Sequence, residues 1–517
     1  MKNKLFLNLF LFLVLLICLK IDYRFIENIS CCGDDHDYFM HSETIAIDFD
    51  FDYSNQLLGN EERRYNKNNK IAPTGFVGSG LLAAPFLFIG SKLGNQLSDL
   101  YNLKILFYSF SPIFYLYFSY ELLRKTLNIE KKEKENFFLL LLIFGSGISY
   151  YAFERYSMTH VYEFFATSLV IYVSEKFYNP KNKYKNIYGA CIPLALLISF
   201  LIRWVNYYVI LIPIIIAIIE NKSKIKLLKN RFFYISSIVS IYLFLWFSKK
   251  IYGIYTFNPQ KIYGEINVAE KVNIFNSELI LNYLKNFIFI LFGEEFGIFW
   301  FSPVIWLVFI FSIYGFVKNK KERILNLVLL IAFLNLFGIV LIWGSTGSSY
   351  GFRYLFGIIP LCIYIIIKKK LYQKKPINYY LLIFCTFSFL STLFFETTEL
   401  TQLSLVEEEN IFGNSVRFTE PQYLRGYILS FFSIDSYLKI FTTSFLGVAV
   451  LKVLLSIFDT ANFIQFLDGI GLPVNNLDFI SLLEKLNNIE NIKIALSVFF
   501  IFLFSYMLTK QKKLKVF

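Results

Sequence analysis

Asp34, Asp35 and Asp37, in the stretch Gly33-Asp34-Asp35-His36-Asp37-Tyr38, follow closely on the first apolar segment of a chain otherwise built for lipid. Carboxylates held at one face of a membrane, ahead of many spans, point to chemistry at the bilayer edge. Other polar residues invite the same reading: Glu154, Arg155 and His160; Arg203 with Asn206; Glu294 and Glu295; and Arg353 with Tyr354. Charged groups near membrane depth are costly and mark function or anchoring. Each also has a plainer reading. The aspartates can be solvated loop acids, Glu154-Arg155 an interfacial salt bridge, and Arg203 and Arg353 anchors that reach phosphate headgroups. The histidines His36, His41 and His160 show no i, i+4 ligand pair, so a metal centre is not expected. Asp48-Phe49-Asp50-Phe51-Asp52 resembles the start of a calcium loop, but Tyr53 stands where the glycine is required. A short, half-buried strand with its acids on one side is expected there.

The elements that must position these groups follow from composition. In 517 residues, 56% are hydrophobic, 20% aromatic and only 17% charged, which describes an all-α polytopic membrane protein and excludes a soluble enzyme. The net charge of +13 therefore concerns topology before nucleic acid, because Lys and Arg crowd cytoplasmic loops. Residues 5–18 read as an uncleaved first span. Further spans are expected at 103–121, 137–153, 161–174, 188–202, 205–219, 232–248, 298–316, 324–343, 353–367, 379–395 and 493–509. The total is about twelve, within a range of eleven to thirteen, for a bilayer core about 30 Å thick.

With the N-terminus inside, the lysine-rich loops at 122–136, 175–186, 220–231, 317–323 and 368–375 all fall on the cytoplasmic side. The opposite face receives the long first outer loop, 20–75, with eleven acids against six bases, and 396–423, with six acids against one base. That face also receives every candidate residue named above. Residues 76–94 and 437–457 are expected as helices lying in or dipping into the outer interface. Cys18, Cys191, Cys362 and Cys385 lie in apolar runs and Cys31-Cys32 in a loop, with no disulfide framework or zinc spacing.

The order of motifs carries more than any one of them. Asp34-Asp35 and Tyr38 precede Asp48-Phe49-Asp50-Phe51-Asp52 with Asn55. Ala72-Pro73-Thr74-Gly75 leads to Pro85, and Tyr151 to His160 is joined by Glu163. Then come Phe296-Gly297 to Ser302-Pro303, and Trp343 to Tyr354 ending Gly351-Phe352-Arg353-Tyr354. Over roughly residues 5–370 this succession resembles the GT-C superfamily of integral-membrane glycosyltransferases, and is similar to the protein O-mannosyltransferases and aminoarabinose transferases. It departs from the usual Asp-Glu pair in having Asp35 second.

The resemblance implies an inverting transferase that moves a sugar from a polyprenyl-phosphate carrier to a hydroxyl acceptor on a glycan, lipid or protein. Asp34 and Asp35 would be catalytic, with Asp34 as general base. His36, Tyr38, Glu154, Arg155, His160, Arg203, Glu294, Arg353 and Tyr354 would bind substrate, the arginines stabilising the departing phosphate. No cofactor is required, and a divalent cation is compatible with the acidic pair. Partners are the lipid-linked donor, membrane lipid and the acceptor, with no nucleic acid. The expected location is a bacterial inner membrane with the site facing outward. Residues 1–400 form the catalytic region, and 401–517 an outer loop, interfacial helix and last span. A transporter or flippase of lipid-linked oligosaccharide, or a non-catalytic membrane scaffold, is the alternative.

Overall fold

Apolar segments in lipid fold as helices because a helix satisfies its own backbone hydrogen bonds. The structure, a computed structural model, describes residues 2–20, 33–59, 65–66, 68, 70–96, 103–130, 132–203, 206–220, 225–258, 277–294, 296–343, 350–395, 406–409, 415–418, 423–457, 465 and 489–510. Its helices begin with α1 (Lys2–Cys18), α2 (Gly33–Glu43), α3 (Gly78–Gln96), α4 (Leu103–Leu127), α5 (Glu133–Phe144), α6 (Ile148–Phe153) and α7 (His160–Tyr178). They continue with α8 (Lys185–Ile202), α9 (Ile212–Ile219), α10 (Ile225–Leu228), α11 (Arg231–Tyr252), α12 (Ser277–Phe292), α13 (Ile298–Phe301) and α14 (Pro303–Lys318). The last are α15 (Arg323–Trp343), α16 (Ile359–Lys368), α17 (Lys375–Phe394), α18 (Tyr423–Phe431), α19 (Ile434–Thr443), α20 (Phe445–Ile457) and α21 (Asn491–Thr509). Two small antiparallel hairpins interrupt them: β1 (Tyr65–Asn66) with β2 (Lys70–Ile71), and β3 (Val406–Glu409) with β4 (Ser415–Phe418).

Among the described residues, five helices are long and apolar enough to cross a membrane: Lys185–Ile202, Arg231–Tyr252, Lys320–Leu341, Lys375–Phe394 and Asn491–Thr509. The larger count expected from sequence rests on shorter helices, such as Pro303–Lys318, and on more polar ones. Among the polar ones is α7, which packs against α4, α8, α9, α16 and the 3-10 turn Arg353–Ile358 and is buried along most of its length.

Prolines shape one end of this bundle. Pro213, Pro303 and Pro360 each stand in the first turn of a helix, where the missing N–H is tolerated. Upstream of each, the regular α ladder stops: 3-10 turns occupy Tyr207–Leu211 and Arg353–Ile358, and the short α13 ends at Ser302. The expected span 137–153 is broken too, between α5 and α6, where Gly147 takes a left-handed φ of 84°.

Three of the loops expected on one face, 220–231, 317–323 and 368–375, meet at one end. Lys368 pairs with Glu220 at 2.5 Å and Lys369 with Glu322 at 2.6 Å, while Phe138 of α5 meets Tyr372 at 4.9 Å between ring centroids. This is the lysine-rich end, and the candidate residues lie at the other. Helices α1 and α21 run antiparallel, since Ser505 donates to Asn8 at 2.7 Å and Phe12 meets Phe502 at 5.8 Å. The two termini of the described helices therefore leave on the same side. Helix α20 does not pass between the ends. Its Phe445 N–H bonds the Leu19 carbonyl at the finish of α1, and Lys452 reaches the Ile489 carbonyl just before α21 starts. Ser444 separates α19 from α20, its hydroxyl accepting from the Gly447 N–H at 3.1 Å as a helix cap does.

Two expectations are corrected. The acidic stretch is not loop: Asp34 and Asp35 form the first turn of α2, where the helix dipole favours carboxylates. Residues 48–52 are not a strand. A π-helical turn covers Thr44–Asp48 and Phe49 has a φ of 59°. Asp50 then accepts from the Asp52 N–H at 3.0 Å and Asp52 from the Ser54 N–H at 3.1 Å. These local side-chain bonds compete with any ladder. Cys31, Cys32, Glu295 and most of 396–422 lie outside the described residues.

Candidate functional site

Helix α2 is held by one side and presents the other. Adjacent helical residues point about 100° apart, so Asp35 turns inward while Asp34 does not. Asp35 is wholly buried, and its Oδ2 accepts from Arg155 Nη2 at 2.8 Å and Nε at 3.1 Å. Arg155 comes from the turn between α6 and α7. Burial raises the Asp35 pKa, and the Arg155 guanidinium opposes that rise. Two residues on, Asp37 accepts from the Thr74 N–H at 3.0 Å and from its hydroxyl.

Deeper along α2, His41 bridges two elements. The Gly75 carbonyl can only accept, so Nε2 carries the proton at 2.8 Å and Nδ1 accepts from the Tyr53 hydroxyl at 2.7 Å. Burial lowers the His41 pKa from 6.5 to about 4, so this histidine is a neutral strut. The seam beneath is close: a methyl at Gly78 would meet the Ile202 nitrogen at 2.3 Å, and one at Gly80 would meet His41 Cβ at 2.4 Å. Tyr38 belongs to this packing, its ring lying against Gly75.

The second half of the site grows from the start of α7. Glu163 is fully buried, and its Oε1 accepts from the Thr159 hydroxyl at 2.7 Å and from Arg203 Nη1 at 2.9 Å. His160 lies one turn earlier, with Nδ1 3.5 Å from the same oxygen and the Tyr151 ring at 4.4 Å. Neither His160 ring nitrogen has a hydrogen-bond partner among the described residues, and neither does Glu163 Oε2. The Tyr354 ring joins the halves, with the Arg203 guanidinium 4.5 Å and the Arg353 guanidinium 5.4 Å from its centroid.

Arg353 and Asp34 meet at the rim. Arg353 Nη1 lies 3.5 Å from Asp34 Oδ2, with side-chain exposures of 12% and 51%. At that distance the pair is loose, and Arg353 Nε is buried without a hydrogen-bond partner among the described residues.

Of the residues singled out from sequence, Asp34, Asp35, Arg155, His160, Arg203, Arg353 and Tyr354 are brought together. Arg155 pairs with Asp35. Glu154, half-buried beside it, lies close enough to Cys18 and Lys20 to share their electrostatic environment. His36 and Glu294 are exposed, and among the described residues no hydrogen bond or ion pair joins either side chain to the cluster. Instead, the Glu294 carbonyl accepts from the Leu424 N–H at 3.0 Å, tying α18 to this end. Glu163 is the member not singled out as a site residue, although His160-x-x-Glu163 at helical spacing puts both on one face of α7. Among the described residues, no group of three or more His, Cys, Asp or Glu side chains could hold a metal ion.

Comparison of the chain with protein-family models, curated proteins and solved structures finds no match in any of the three. The fold itself defines a helical bundle whose long apolar helices fit a membrane protein, with a charged cluster at one end.

Proposed function

We propose that the chain is an integral-membrane glycosyltransferase that moves a sugar from a polyprenyl-phosphate carrier to a hydroxyl acceptor, from a site on the non-cytoplasmic face. The observation that supports this most is the rim pair: an accessible carboxylate, Asp34, beside a mostly buried arginine whose Nε is unpartnered. In the proposed reaction the acceptor oxygen forms a bond to the sugar's anomeric carbon while the bond from that carbon to the phosphate oxygen breaks. The acceptor proton passes to Asp34, and the phosphate leaves with the bonding electrons. Arg353 holds the charge that develops on it. Arg203 is already engaged by Glu163 and serves with Tyr354 to keep Arg353 in place. Asp35 acts through Arg155 as a positioning residue that fixes the first turn of α2. The reading also takes about twelve spans with both termini in the cytoplasm, the lysine-rich end facing inward.

The test is transfer itself. Purified full-length protein in lipid is given a panel of radiolabelled polyprenyl-phosphate sugars with candidate hydroxyl acceptors. Label should move from one donor class in the wild type and not in Asp34→Asn. A folded wild type that moves no label from any donor, or an Asp34→Asn variant that transfers normally, overturns the reading.

A further inference from the structure

Helices α18 and α19 span nine and ten residues, so each is about 14–15 Å long, half the thickness of a bilayer core. Neither can cross, yet both are strongly apolar on one side. Ile428, Leu429, Phe432, Ile434, Tyr437, Leu438 and Phe441 are all exposed, and Phe432, at the break between the helices, is 87% exposed. In α19 the sequence divides at helical spacing, with Asp435, Ser436, Lys439 and Thr442 along one stripe and Ile434, Tyr437, Leu438 and Phe441 along another.

The position of this pair indicates what covers it. Leu424 bonds the Glu294 carbonyl at the end of the bundle that carries the charged cluster. Phe431 stacks on Phe387 at 5.5 Å, in the last two turns of α17, and meets Phe394 at its finish at 5.5 Å; α17 is one of the helices long and apolar enough to cross a membrane. From there α20 runs along the same end to α1 and α21. The exposed apolar stripe thus begins where α17 finishes and stays at the level of the helix ends. A side chain as open as Phe432 would face water at that level unless lipid reached it.

We propose that α18 and α19 lie flat in the outer leaflet, apolar stripe toward the acyl chains and polar stripe toward the headgroups, as a membrane-surface collar around the charged end. The inference concerns how the chain meets lipid and does not depend on sugar transfer.

Spin labels on single-cysteine variants of the full chain in vesicles of phosphatidylethanolamine and phosphatidylglycerol test it. Phe432→Cys and Leu438→Cys are compared with Ile238→Cys on the exposed face of α11 and with Asp50→Cys in the acidic turn. Labels at 432 and 438 should collide more with apolar oxygen than with a water-soluble nickel chelate, as at 238 and unlike at 50. A nickel preference at both positions places the pair in water and overturns the collar. So does exclusion of both reagents with dipolar broadening between copies, which assigns the stripe to a second copy of the chain. Leu438 serves as the second position because it samples α19 itself rather than the break.

Discussion

The two ends of the bundle use charge in different ways. At the lysine-rich end, the ion pairs between elements stay partly open to solvent, Lys369 and Glu322 at 25% and 30% and Lys368 and Glu220 at 31% and 22%, while the buried pair Arg124–Glu121 lies within one helix. At the other end Asp35, Arg155, Glu163 and Arg203 are drawn in from four elements and largely or wholly buried. Exposed pairs of the first kind contribute little to stability. Buried ones are costly to assemble and more costly to break singly. The lysines therefore speak to orientation and solubility, while the buried set holds α2, the α6–α7 turn, α7 and the end of α8 in one geometry. Beside that set, Asp34 and Arg353 form a looser pair at the rim.

The largest effect should come from breaking the buried set. Arg155→Leu leaves Asp35 without that guanidinium and should cost about 3–5 kcal/mol, read as a lowered unfolding midpoint in detergent. The double variant Asp35→Leu, Arg155→Leu should recover much of the loss; if it does not, the pair is not what holds the turn.

Next is the pH response of His41. Its folded pKa, about 4, lies below the ordinary 6.5, so its contribution is complete above pH 6.5 and is lost as pH falls from 6.5 toward 4. The loss amounts to about 3 kcal/mol. His41→Asn should flatten that part of the stability profile relative to wild type. Identical slopes in the two proteins would show that His41 does not carry this response.

Asp34→Asn should leave stability within about 0.5 kcal/mol while transfer falls by about two orders of magnitude or more. That split between stability and activity is what separates the rim from the buried set. Arg353→Lys keeps the charge but loses the planar fork, and transfer should drop about tenfold. An equally active lysine variant would reduce Arg353 to an anchor. Smallest is Lys369→Ala at the opposite end, where the unfolding midpoint should move by the equivalent of less than about 1 kcal/mol.

The gathering of polar groups was legible because the acids and lysines alternate from loop to loop. Five helices of the expected length followed from hydropathy alone. The difference between Asp34 and Asp35 was not legible, because it depends on which way a helical turn faces, and the stretch reads as loop when its apolar partners lie far along the chain. Asp35 and Arg155 are separated by 120 positions, and Glu163 and Arg203 by 40. No local pattern announces such pairs. The broken spans were different. Ile212-Pro213, Ser302-Pro303 and Ile359-Pro360 each mark where regular helix begins, so the irregular turns before them were present in the sequence.

The antiparallel contact of α1 with α21 also sets an order of events during synthesis. The Ser505 hydroxyl and the Asn8 side chain that it bonds are 497 positions apart, so α1 must wait for all the intervening chain to be made before it meets this neighbour. Contacts of such long range close late and slowly. In the interval the side of α1 that carries Asn8 and Phe12 is open to other helices. A chain halted before Asn491 should therefore be recognised by membrane quality control through its beginning, not its missing end.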